Sequence, residues 1–392
     1  MENLRRTFNP ETIAIVGASN REGSVGNSVI KNLLGKFPGI VYPVNPKRKS
    51  IMGIRAYKSL SSIPDKIDLV VVATPASTVP DIVKEAGRKK AGGMVIITAG
   101  FKEAGAEGKA LFNEIIELSK KHNVRIIGPN CLGFLRPKNR LNASFANKMA
   151  LGGKVAFISQ SGALCTAVLD WSVQYNVGFS HFVSLGSMAD VGFESMLKYL
   201  EEDEETEAVL VYMESLSNPA EFLKAAKSIC KKKPVVVLKV GKSSAGAKAA
   251  LSHTGRLAGN DAVYDAAFER AGISRIEDSQ SLYNCAQVLS RQPFPKGNRM
   301  AIITNAGGPG VVATDSLIGQ GGEVAELSSA TIKKLNSFLP PHWSHGNPVD
   351  VLGDAGPDRY KNAVNACIKD RNVDGVMVIL TPQSMTKPME IA

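Results

Sequence analysis

The chain has 392 residues, of which 44% are hydrophobic and 21% are charged, and its formal net charge is +11. This length exceeds what one hydrophobic core usually supports, so we expect two or three domains. No apolar run approaches the roughly 20 residues of a membrane-spanning helix, and the amino-terminal residues lack the apolar segment of a signal peptide. These features argue against a membrane protein and a secreted one, and we expect a cytoplasmic protein.

The cysteines and the basic residues argue against two further kinds of site. The five cysteines lie at positions 131, 165, 230, 285 and 367 with no paired spacing, which disfavours a disulfide framework and a zinc site. The lysines are dispersed, and no nucleic-acid recognition motif accompanies them. We therefore expect no metal bound by this chain and no nucleic-acid partner, and a small polyanionic ligand accounts for the positive charge.

One local pattern occurs three times along the chain: a β-branched run, a turn of small residues and then a helix. The three copies have their strand and turn at 12–17 and 17–26, at 154–159 and 160–163, and at 299–304 and 305–310. The helices that follow begin near residue 27 in the first copy and run to 175 and 320 in the other two. Each copy thus places a helix amino terminus directly behind a strand.

Further apolar runs and helical patterns follow these copies, so that predicted strands and helices alternate along the chain. Continuous apolar runs, typical of parallel strands covered on both faces, lie at 68–74, 208–213 and 375–380. Helical patterns lie at 80–90, 107–121 and 219–230. Alternating strands and helices of this length predict an α/β fold with doubly wound parallel sheets.

The pattern predicts three domains, over residues 1–130, 150–292 and 297–392. The boundary near 292–297 is a plain linker rich in proline. The third pattern ends about two strands and one helix short of a full doubly wound domain, so we expect that domain to be partial.

The turn at 17–26 is the first candidate binding site. Its small residues let backbone amides approach a ligand, and the helix behind it favours a phosphate. Its spacing is not that of a dinucleotide-binding GxGxxG turn, and the next strand ends in Asn45 and Lys47, without the usual ribose-binding carboxylate. A basic residue there suits a phosphorylated nucleotide better than NAD. A purely structural tight turn remains the alternative.

Two further candidates follow strands of the second pattern. Ser161 is placed to cap a helix whose amino terminus can hold a phosphate, although an ordinary cap explains it equally well. Glu214 follows the apolar run 208–213, at the strand end where parallel sheets place their ligands. A solvated loop carboxylate is the alternative for Glu214.

His253 lies in a stretch of small residues, 241–259, that lacks the periodicity of a helix or strand. A lone imidazole without bulky neighbours suits a group that moves between two sites. Glu214 is suited to bind one ring nitrogen and leave the other as a nucleophile. The other four histidines we interpret as structural.

Seven segments, in this order, resemble the α subunit of the NDP-forming acyl-CoA synthetases, the ADP-forming acetate–CoA ligase group related to succinyl-CoA synthetase. They are Gly-Ala-Ser-Asn with Gly-Ser-Val-Gly (17–26), Tyr-Pro-Val-Asn-Pro-Lys (42–47), Val-Ala-Thr-Pro-Ala (72–76), Thr-Ala-Gly-Phe (98–101), Gly-Pro-Asn-Cys-Leu-Gly (128–133), Ser-Gln-Ser-Gly-Ala (159–163) and Ser-His-Thr-Gly-Arg-Leu-Ala-Gly (252–259). The resemblance implies a Rossmann-like coenzyme A-binding domain followed by two flavodoxin-like domains, of which the first carries a phosphohistidine loop.

The resemblance also implies a role for individual residues. His253 would carry the phosphoryl group and Glu214 would hold its ring. The residues implied to bind the phosphate are Ser161, Gly162, Ala163, Thr254 and Gly255. Those implied to bind coenzyme A are Gly17, Ala18, Ser19, Gly23, Ser24, Val25, Gly26, Lys47, Thr74, Pro75, Ala99 and Gly100. Asn130, Cys131 and Gly162 would lie near the acyl group.

The implied reaction converts acyl-CoA, phosphate and ADP into a carboxylic acid, coenzyme A and ATP, through an acyl phosphate and a phosphohistidine. The sequence contains no GxxxxGK[ST] loop and no segment similar to an ATP-grasp domain. We therefore expect ADP, ATP and Mg²⁺ to bind an ATP-grasp β subunit, in an α2β2 assembly, or a fused ATP-grasp domain. On this view the chain alone does not complete the reaction.

Two other interpretations remain open at this stage. One is a non-catalytic coenzyme A-binding or scaffold module of a fused acetyltransferase, which need not keep the histidine. The other is an NAD-dependent Rossmann dehydrogenase, against which the departure from GxGxxG counts. The acyl group and the choice between ADP and GDP are not specified by these residues.

Overall fold

The computed structural model of the chain describes residues 1–243, 245–246 and 260–392. These residues divide into two compact units, Met1–Gln292 and Pro293–Ala392. None of the helices within the described ranges combines the length and the apolar character needed to cross a membrane.

The first part of the larger unit is built on a parallel sheet. Its elements in chain order are α1 (Glu2–Phe8), β1 (Thr12–Val16), α2 (Val25–Leu33), β2 (Ile40–Val44), β3 (Ser50–Ile51), β4 (Ile54–Arg55), β5 (Leu69–Val72), α3 (Val79–Arg88), β6 (Gly93–Ile96), α4 (Gly105–His122) and β7 (Arg125–Ile127). Five of the strands form a parallel sheet in the order β2-β1-β5-β6-β7, and β3 and β4 pair as a short antiparallel ribbon.

The strands of this sheet are buried on both faces because apolar residues alternate between two clusters. Ile13 and Ile15 of β1 pack into one cluster, and Ala14 and Val16 pack into the other. Successive side chains of a strand point to opposite faces, so a continuous β-branched run is stable only where both faces are covered.

The second part of the larger unit contains a mixed sheet. Its elements are β8 (Gly133–Arg136), β9 (Leu141–Ser144), β10 (Leu151–Ser159), α5 (Gly162–Gln174), β11 (Gly178–Ser184), α6 (Phe193–Glu202), β12 (Ala208–Met213), α7 (Pro219–Ile229), β13 (Val235–Lys239), α8 (Asp261–Ala271), β14 (Ser274–Ile276) and α9 (Ser279–Arg291). The sheet has the order β14-β13-β12-β10-β11-β8-β9. Strands β10 to β14 are parallel, whereas β8 runs antiparallel to both β11 and β9.

The antiparallel pair β8 and β9 was not expected from the sequence. It occupies the region 130–150 that the pattern leaves between two domains. Both strands are short, and the segment Gly-Phe-Leu-Arg of β8 has no long β-branched run that would reveal it. Its stability comes from pairing with β11, which is a tertiary contact.

Shared aromatic packing and a buried ion-pair network join the two parts of the larger unit. The ring of Phe8 lies 4.8 Å from that of Phe134 and 4.9 Å from that of Tyr199, measured between centroids. The guanidinium of Arg136 lies 3.5 Å from the carboxylate of Asp203 and also donates to the backbone carbonyl of Phe8. These contacts hold the two sheets of this unit in one arrangement.

The smaller unit is a separate α/β body. Its elements are β15 (Arg299–Thr304), α10 (Gly307–Gly319), β16 (Glu323–Val324), α11 (Ser329–Asn336), β17 (Val349–Asp350), α12 (Pro357–Ile368), β18 (Gly375–Ile379) and α13 (Pro388–Ile391). Strand β15 pairs in parallel with β16, β17 and β18. Its apolar core includes Ile303, Trp343 and Tyr360.

One prediction for the smaller unit is wrong in part. The run 375–380 forms the expected strand, β18, but the strand is not covered on both faces, since Met377 is 37% exposed and Val378 is 48% exposed. Among the described residues, β18 pairs with β15 alone. Within the described residues, β18 is therefore a half-exposed strand at the edge of its sheet, where a strand covered on both faces was expected.

The predicted α/β class with parallel sheets is confirmed. The runs 208–213 and 299–304 form β12 and β15 with the predicted bounds. The helix after the first turn begins earlier than predicted, at Val25, because the hydroxyl of Ser24 accepts a hydrogen bond from the backbone N–H of Asn27 and caps it.

Candidate active site

A cavity of about 520 Å³ lies at the carboxyl ends of strands from both sheets of the larger unit. Nine residues predicted for the site line it. They are Val25, Thr74, Ala99, Asn130, Cys131, Ser161, Gly162, Ala163 and Glu214. The structure thus brings segments predicted to bind coenzyme A, phosphate and acyl group to one place, although they come from separate positions along the chain.

The first turn approaches its neighbours so closely that glycine is required at two positions. Gly17 has a φ of +93°, and a Cβ there would lie 2.6 Å from the carbonyl oxygen of Ala73. A Cβ at Gly26 would lie 2.0 Å from the carbonyl oxygen of Gly17. The turn therefore packs directly against the loop after β5, which also contains Thr74.

The end of β2 is tied to the same turn by Asn45. Its side-chain amide donates to the carbonyl of Ala18 over 2.9 Å, and its oxygen accepts from the backbone N–H of Lys47 over 2.9 Å. Lys47 is exposed and does not line the cavity. The structure therefore holds the backbone at Lys47 beside the first turn and outside the cavity.

Loops after β5 and β6 form another wall of the cavity. The hydroxyl of Thr98 donates to the carbonyl of Thr74 over 2.7 Å, which joins the two loops. Gly100 has a φ of +102°, and its backbone N–H donates to the carboxylate of Glu103 over 2.8 Å. Glu103 thereby stabilises the turn that contains Ala99 and Gly100.

The amino terminus of α5 presents a capped helix end to the cavity. The hydroxyl of Ser161 accepts from the backbone N–H of Leu164 over 3.2 Å. Gly162 and Ala163 form the first turn of this helix and line the cavity. The helix dipole and the amides of a first turn favour an anion at such a position.

Glu214 lies beside this helix end and is buried, with 7% of its surface exposed. It follows β12, which is the neighbour of β10 in the sheet. Its backbone N–H donates to the side-chain oxygen of Gln160 over 2.5 Å. Burial, and secondarily the charge of Glu214, raise the pKa of Tyr212 to about 12. The cavity therefore combines an anion-favouring helix end with a carboxylate.

The segment predicted to lie near the acyl group approaches from the end of β7. The backbone N–H of Asn130 donates to the carbonyl of Thr98 over 2.9 Å. The thiol of Cys131 donates to the carbonyl of Ile96 over 3.4 Å, and burial raises its pKa to about 12. Cys131 is therefore a protonated, apolar part of the wall and is not activated as a nucleophile.

His253, Thr254 and Gly255 lie outside the described residues. The described residues on either side locate the two ends of their segment. Strand β13 pairs with β12 so that Lys239 lies beside Met213, the residue before Glu214. β13 therefore ends beside the end of β12, after which Glu214 follows. On the far side, Asn260 caps α8.

Family models match most of the chain in three consecutive pieces. A coenzyme A-binding domain matches residues 11–137, a succinyl-CoA ligase-like flavodoxin domain matches 152–289, and a ligase-CoA domain matches 300–392.

Curated relatives match over nearly the whole chain. Acetate–CoA ligase [ADP-forming] I of Archaeoglobus fulgidus is 44% identical over 97% of this chain and 55% of its own length. The α subunit of acetate–CoA ligase [ADP-forming] II of Pyrococcus furiosus is 43% identical over 95% of this chain and 81% of its own length. The chain belongs to the ADP-forming acetate–CoA ligase family. This confirms the family predicted from the motifs.

A solved structure of the same family has the same fold. It is the dinucleotide-forming acetyl-coenzyme A synthetase 1 of Ca. Korarchaeum cryptofilum, in complex with phosphate and ADP. It is 36% identical, with a TM-score of 0.94, and the match covers 100% of this chain and 84% of that one. The chain thus spans about half the length of the Archaeoglobus fulgidus ligase but most of the Pyrococcus furiosus α subunit and of this structure.

Several residues predicted for coenzyme A do not line the cavity. They are Gly17, Ala18, Ser19, Gly23, Ser24, Gly26, Lys47, Pro75 and Gly100. Most of them belong to the first turn and its surroundings, which adjoin the cavity through Val25 and Thr74.

No role was predicted from the sequence for four other residues that line the cavity. Gln160, Glu103, Phe145 and Ser187 line it. Phe145 is 40% exposed, and the amide of Asn32 donates to the carbonyls on both sides of it, at Ser144 and Ala146. An aromatic residue beside small polar ones is a weak signal, and only its place in the fold identifies it. Among the described residues, no group of three or more His, Cys, Asp and Glu side chains is arranged for a metal ion.

Proposed function

We propose that this chain is the α subunit, or the equivalent part, of an ADP-forming acyl-CoA synthetase. The complete enzyme would convert acyl-CoA, ADP and phosphate into a carboxylic acid, ATP and coenzyme A. The observation that carries the proposal is the shared cavity, which is lined both by the amino terminus of α5 and Glu214 and by the loops at Thr74 and Ala99. The chemistry needs a phosphate site, a carboxylate and a coenzyme A site in contact.

The first step forms an acyl phosphate. An oxygen of phosphate, bound at the amino terminus of α5, attacks the thioester carbon. The carbon–sulfur bond breaks, and coenzyme A leaves with the proton that the phosphate gives up. Ser161, Gly162 and Ala163 stabilise the phosphate charge through the helix terminus. Asn130 and Cys131, which line the same cavity, are proposed to contact the acyl group.

The second step transfers the phosphoryl group to His253. One ring nitrogen attacks phosphorus, and the bond to the carboxylate oxygen breaks, which releases the carboxylic acid as its anion. Glu214 accepts a hydrogen bond from the other ring nitrogen and stabilises the positive charge that develops on the ring. The buried position of Glu214 strengthens this interaction because water screens it little. Thr254 and Gly255 are proposed to contact the phosphoryl group.

The third step takes place at a second site. The phosphohistidine would give its phosphoryl group to ADP, and a Mg²⁺ ion bound there would offset the phosphate charges. We place ADP and Mg²⁺ on an ATP-grasp β subunit, in an α2β2 enzyme, or on a fused domain. The lengths of the relatives support this, since some are separate α subunits and others are about twice as long as this chain.

The domain assignment and the location belong to the same proposal. We assign coenzyme A binding to residues 1–130, the phosphohistidine loop to 150–292 and a partial flavodoxin-like domain to 297–392. Family models that match 11–137, 152–289 and 300–392 support these bounds. We also propose a cytoplasmic location.

Phosphopeptide mapping under alkaline conditions tests the proposal. The chain is mixed with acetyl-CoA, labelled phosphate and an ATP-grasp partner of the family. We expect acid-labile label on the peptide that contains His253. If coenzyme A binds but no label forms with acetyl-, propionyl-, branched-chain or aryl-CoA, the chain is a non-catalytic coenzyme A-binding module.

A further inference from the structure

Gln160 lines the cavity, and the proposed function assigns it no role. It follows β10 and precedes Ser161, the cap of α5. Only 9% of its surface is exposed. It lines the same cavity as Ser161 and Glu214.

The side chain of Gln160 binds the end of the neighbouring strand. Its carbonyl oxygen accepts two hydrogen bonds, from the backbone N–H of Glu214 over 2.5 Å and from that of Ser215 over 3.0 Å. Its amide nitrogen lies 3.5 Å from the hydroxyl of Ser215. Its own backbone N–H donates to the carbonyl of Tyr212 over 3.2 Å. One residue therefore joins β10 to the last residues of β12 and the loop beyond.

The two hydrogen bonds to the side-chain oxygen of Gln160 satisfy buried backbone N–H groups. Beyond Met213 the chain leaves β12, and two successive buried N–H groups need an acceptor there because an unsatisfied one is costly. A carbonyl oxygen has two lone pairs and serves both. A neutral amide does so without placing a second negative charge beside Glu214.

These hydrogen bonds fix the position of Glu214 relative to the amino terminus of α5. Gln160 precedes the helix end predicted to bind phosphate, and its oxygen binds the backbone of the carboxylate residue predicted to hold the histidine ring. We propose that Gln160 is a positioning residue, which holds Glu214 at the correct place relative to the amino terminus of α5, where the phosphoryl group is proposed to bind. This inference rests on the proposed function.

Three variants and one control test it. Gln160→Leu keeps the size and removes the acceptor, Gln160→Glu keeps the acceptor and adds a charge, and Gln160→Asn shortens the amide. The control is Gln174→Leu, at the exposed carboxyl end of α5, the helix that follows Gln160. The measurements, made with the ATP-grasp partner, acetyl-CoA and labelled phosphate, are the single-turnover rate of phosphohistidine formation against pH and the dissociation constant of coenzyme A.

We expect Gln160→Leu to slow phosphohistidine formation about 10- to 100-fold, as a small misplacement of a reacting group does. Its coenzyme A dissociation constant should stay within about twofold of wild type, because Gln160 holds no part of the coenzyme A loops. Gln160→Glu should retain most of the rate near neutral pH, but with the acid limb of the pH profile moved upward, since two neighbouring carboxylates bind a proton more readily than one.

The outcomes separate this inference from the function on which it rests. A Leu variant as fast as wild type, or Leu and Glu variants that are slowed equally with unchanged pH profiles, overturns the role of Gln160. If the Leu variant does not fold, the Asn variant carries the same expectation of slowed phosphorylation. If wild type and Gln174→Leu also form no phosphohistidine with acetyl-, propionyl-, branched-chain or aryl-CoA, the proposed function itself is overturned.

Discussion

The amino termini of α2 and α5 are built from the same local pattern but differ in what surrounds them. Both follow a buried strand, and both are capped by serine, with Ser24 accepting from Asn27 over 3.3 Å and Ser161 accepting from Leu164 over 3.2 Å. The connection 17–24 before α2 is long and exposed at residues 20–23, whereas the connection 160–161 before α5 is short, with Gln160 buried.

Their charged neighbours differ more than their backbones. The turn before α2 is joined through Asn45 to Lys47, a cation. The turn before α5 is joined through Gln160 to Glu214, a buried carboxylate. A helix end beside a cation suits a large polyanion, and one beside a carboxylate suits an anion that must meet a histidine. The two helix ends share a backbone pattern, but the residue that follows the neighbouring strand, Lys47 after β2 or Glu214 after β12, determines which ligand each end suits.

Removal of His253 should have the largest effect. It should abolish the reaction assigned to the α5 end and leave coenzyme A binding at the α2 end unchanged. His253→Ala should lower phosphorylation and overall turnover by at least about 10⁴-fold, because the nucleophile is lost. The coenzyme A dissociation constant should not change, since that ligand is assigned to the α2 side. Labelling with phosphate and calorimetric titration with coenzyme A measure the two quantities.

His342→Ala, at an exposed position of the smaller unit, is the matched control and should behave as wild type. A His253→Ala protein that loses coenzyme A affinity would contradict the separation of the two ends.

The carboxylate beside α5 should have the next largest effect. Glu214→Gln should slow phosphorylation of His253 by about 10²- to 10⁴-fold, because the ring loses the charge that orients and stabilises it. Single-turnover labelling measures the rate. Glu207→Gln, at the exposed opposite end of the same strand, is the control and removes only a surface ion pair with Lys154. An unchanged rate in Glu214→Gln would show that another group holds the ring.

The cation beside α2 should affect binding and not phosphorylation. Lys47→Ala should weaken coenzyme A binding about fivefold at low salt, and less at high salt, because an exposed charge contributes up to about 1 kcal/mol and is screened. Lys36→Ala, at an exposed position between α2 and β2, is the control. Equal affinities for the two variants at all salt concentrations would place the coenzyme A phosphates elsewhere.

The two serine caps should have the smallest effects, and they compare the two ends directly. Ser24→Ala and Ser161→Ala should each lower the free energy of unfolding by about 1 kcal/mol, as the loss of a helix cap does. Beyond that, Ser24→Ala should weaken coenzyme A binding and Ser161→Ala should slow phosphorylation, each a few-fold. Urea unfolding and the two assays measure these effects. If either variant weakened coenzyme A binding and slowed phosphorylation to the same extent, the assignment of one function to each helix end would be wrong.

Local chemistry made the elements and part of the site predictable. The β-branched runs of β12 and β15 are buried strands in the structure with the predicted bounds. Ser161 and Glu214 were identified because a small turn before a helix and a carboxylate after a strand are visible in sequence. Family motifs supplied the assignments of Asn130, Cys131 and the coenzyme A residues, which the fold places in or beside one cavity and whose roles stay predictions.

The sequence by itself determined the alternation of strands and helices, the α/β class and the family, because each depends on short segments whose composition carries the information. Only the tertiary structure decided that β8 and β9 extend the second sheet, that β18 is half exposed and that Gln160 binds the backbone of Glu214. These features depend on which strands become neighbours. That choice is made by packing between residues distant in sequence, so no local pattern reveals it.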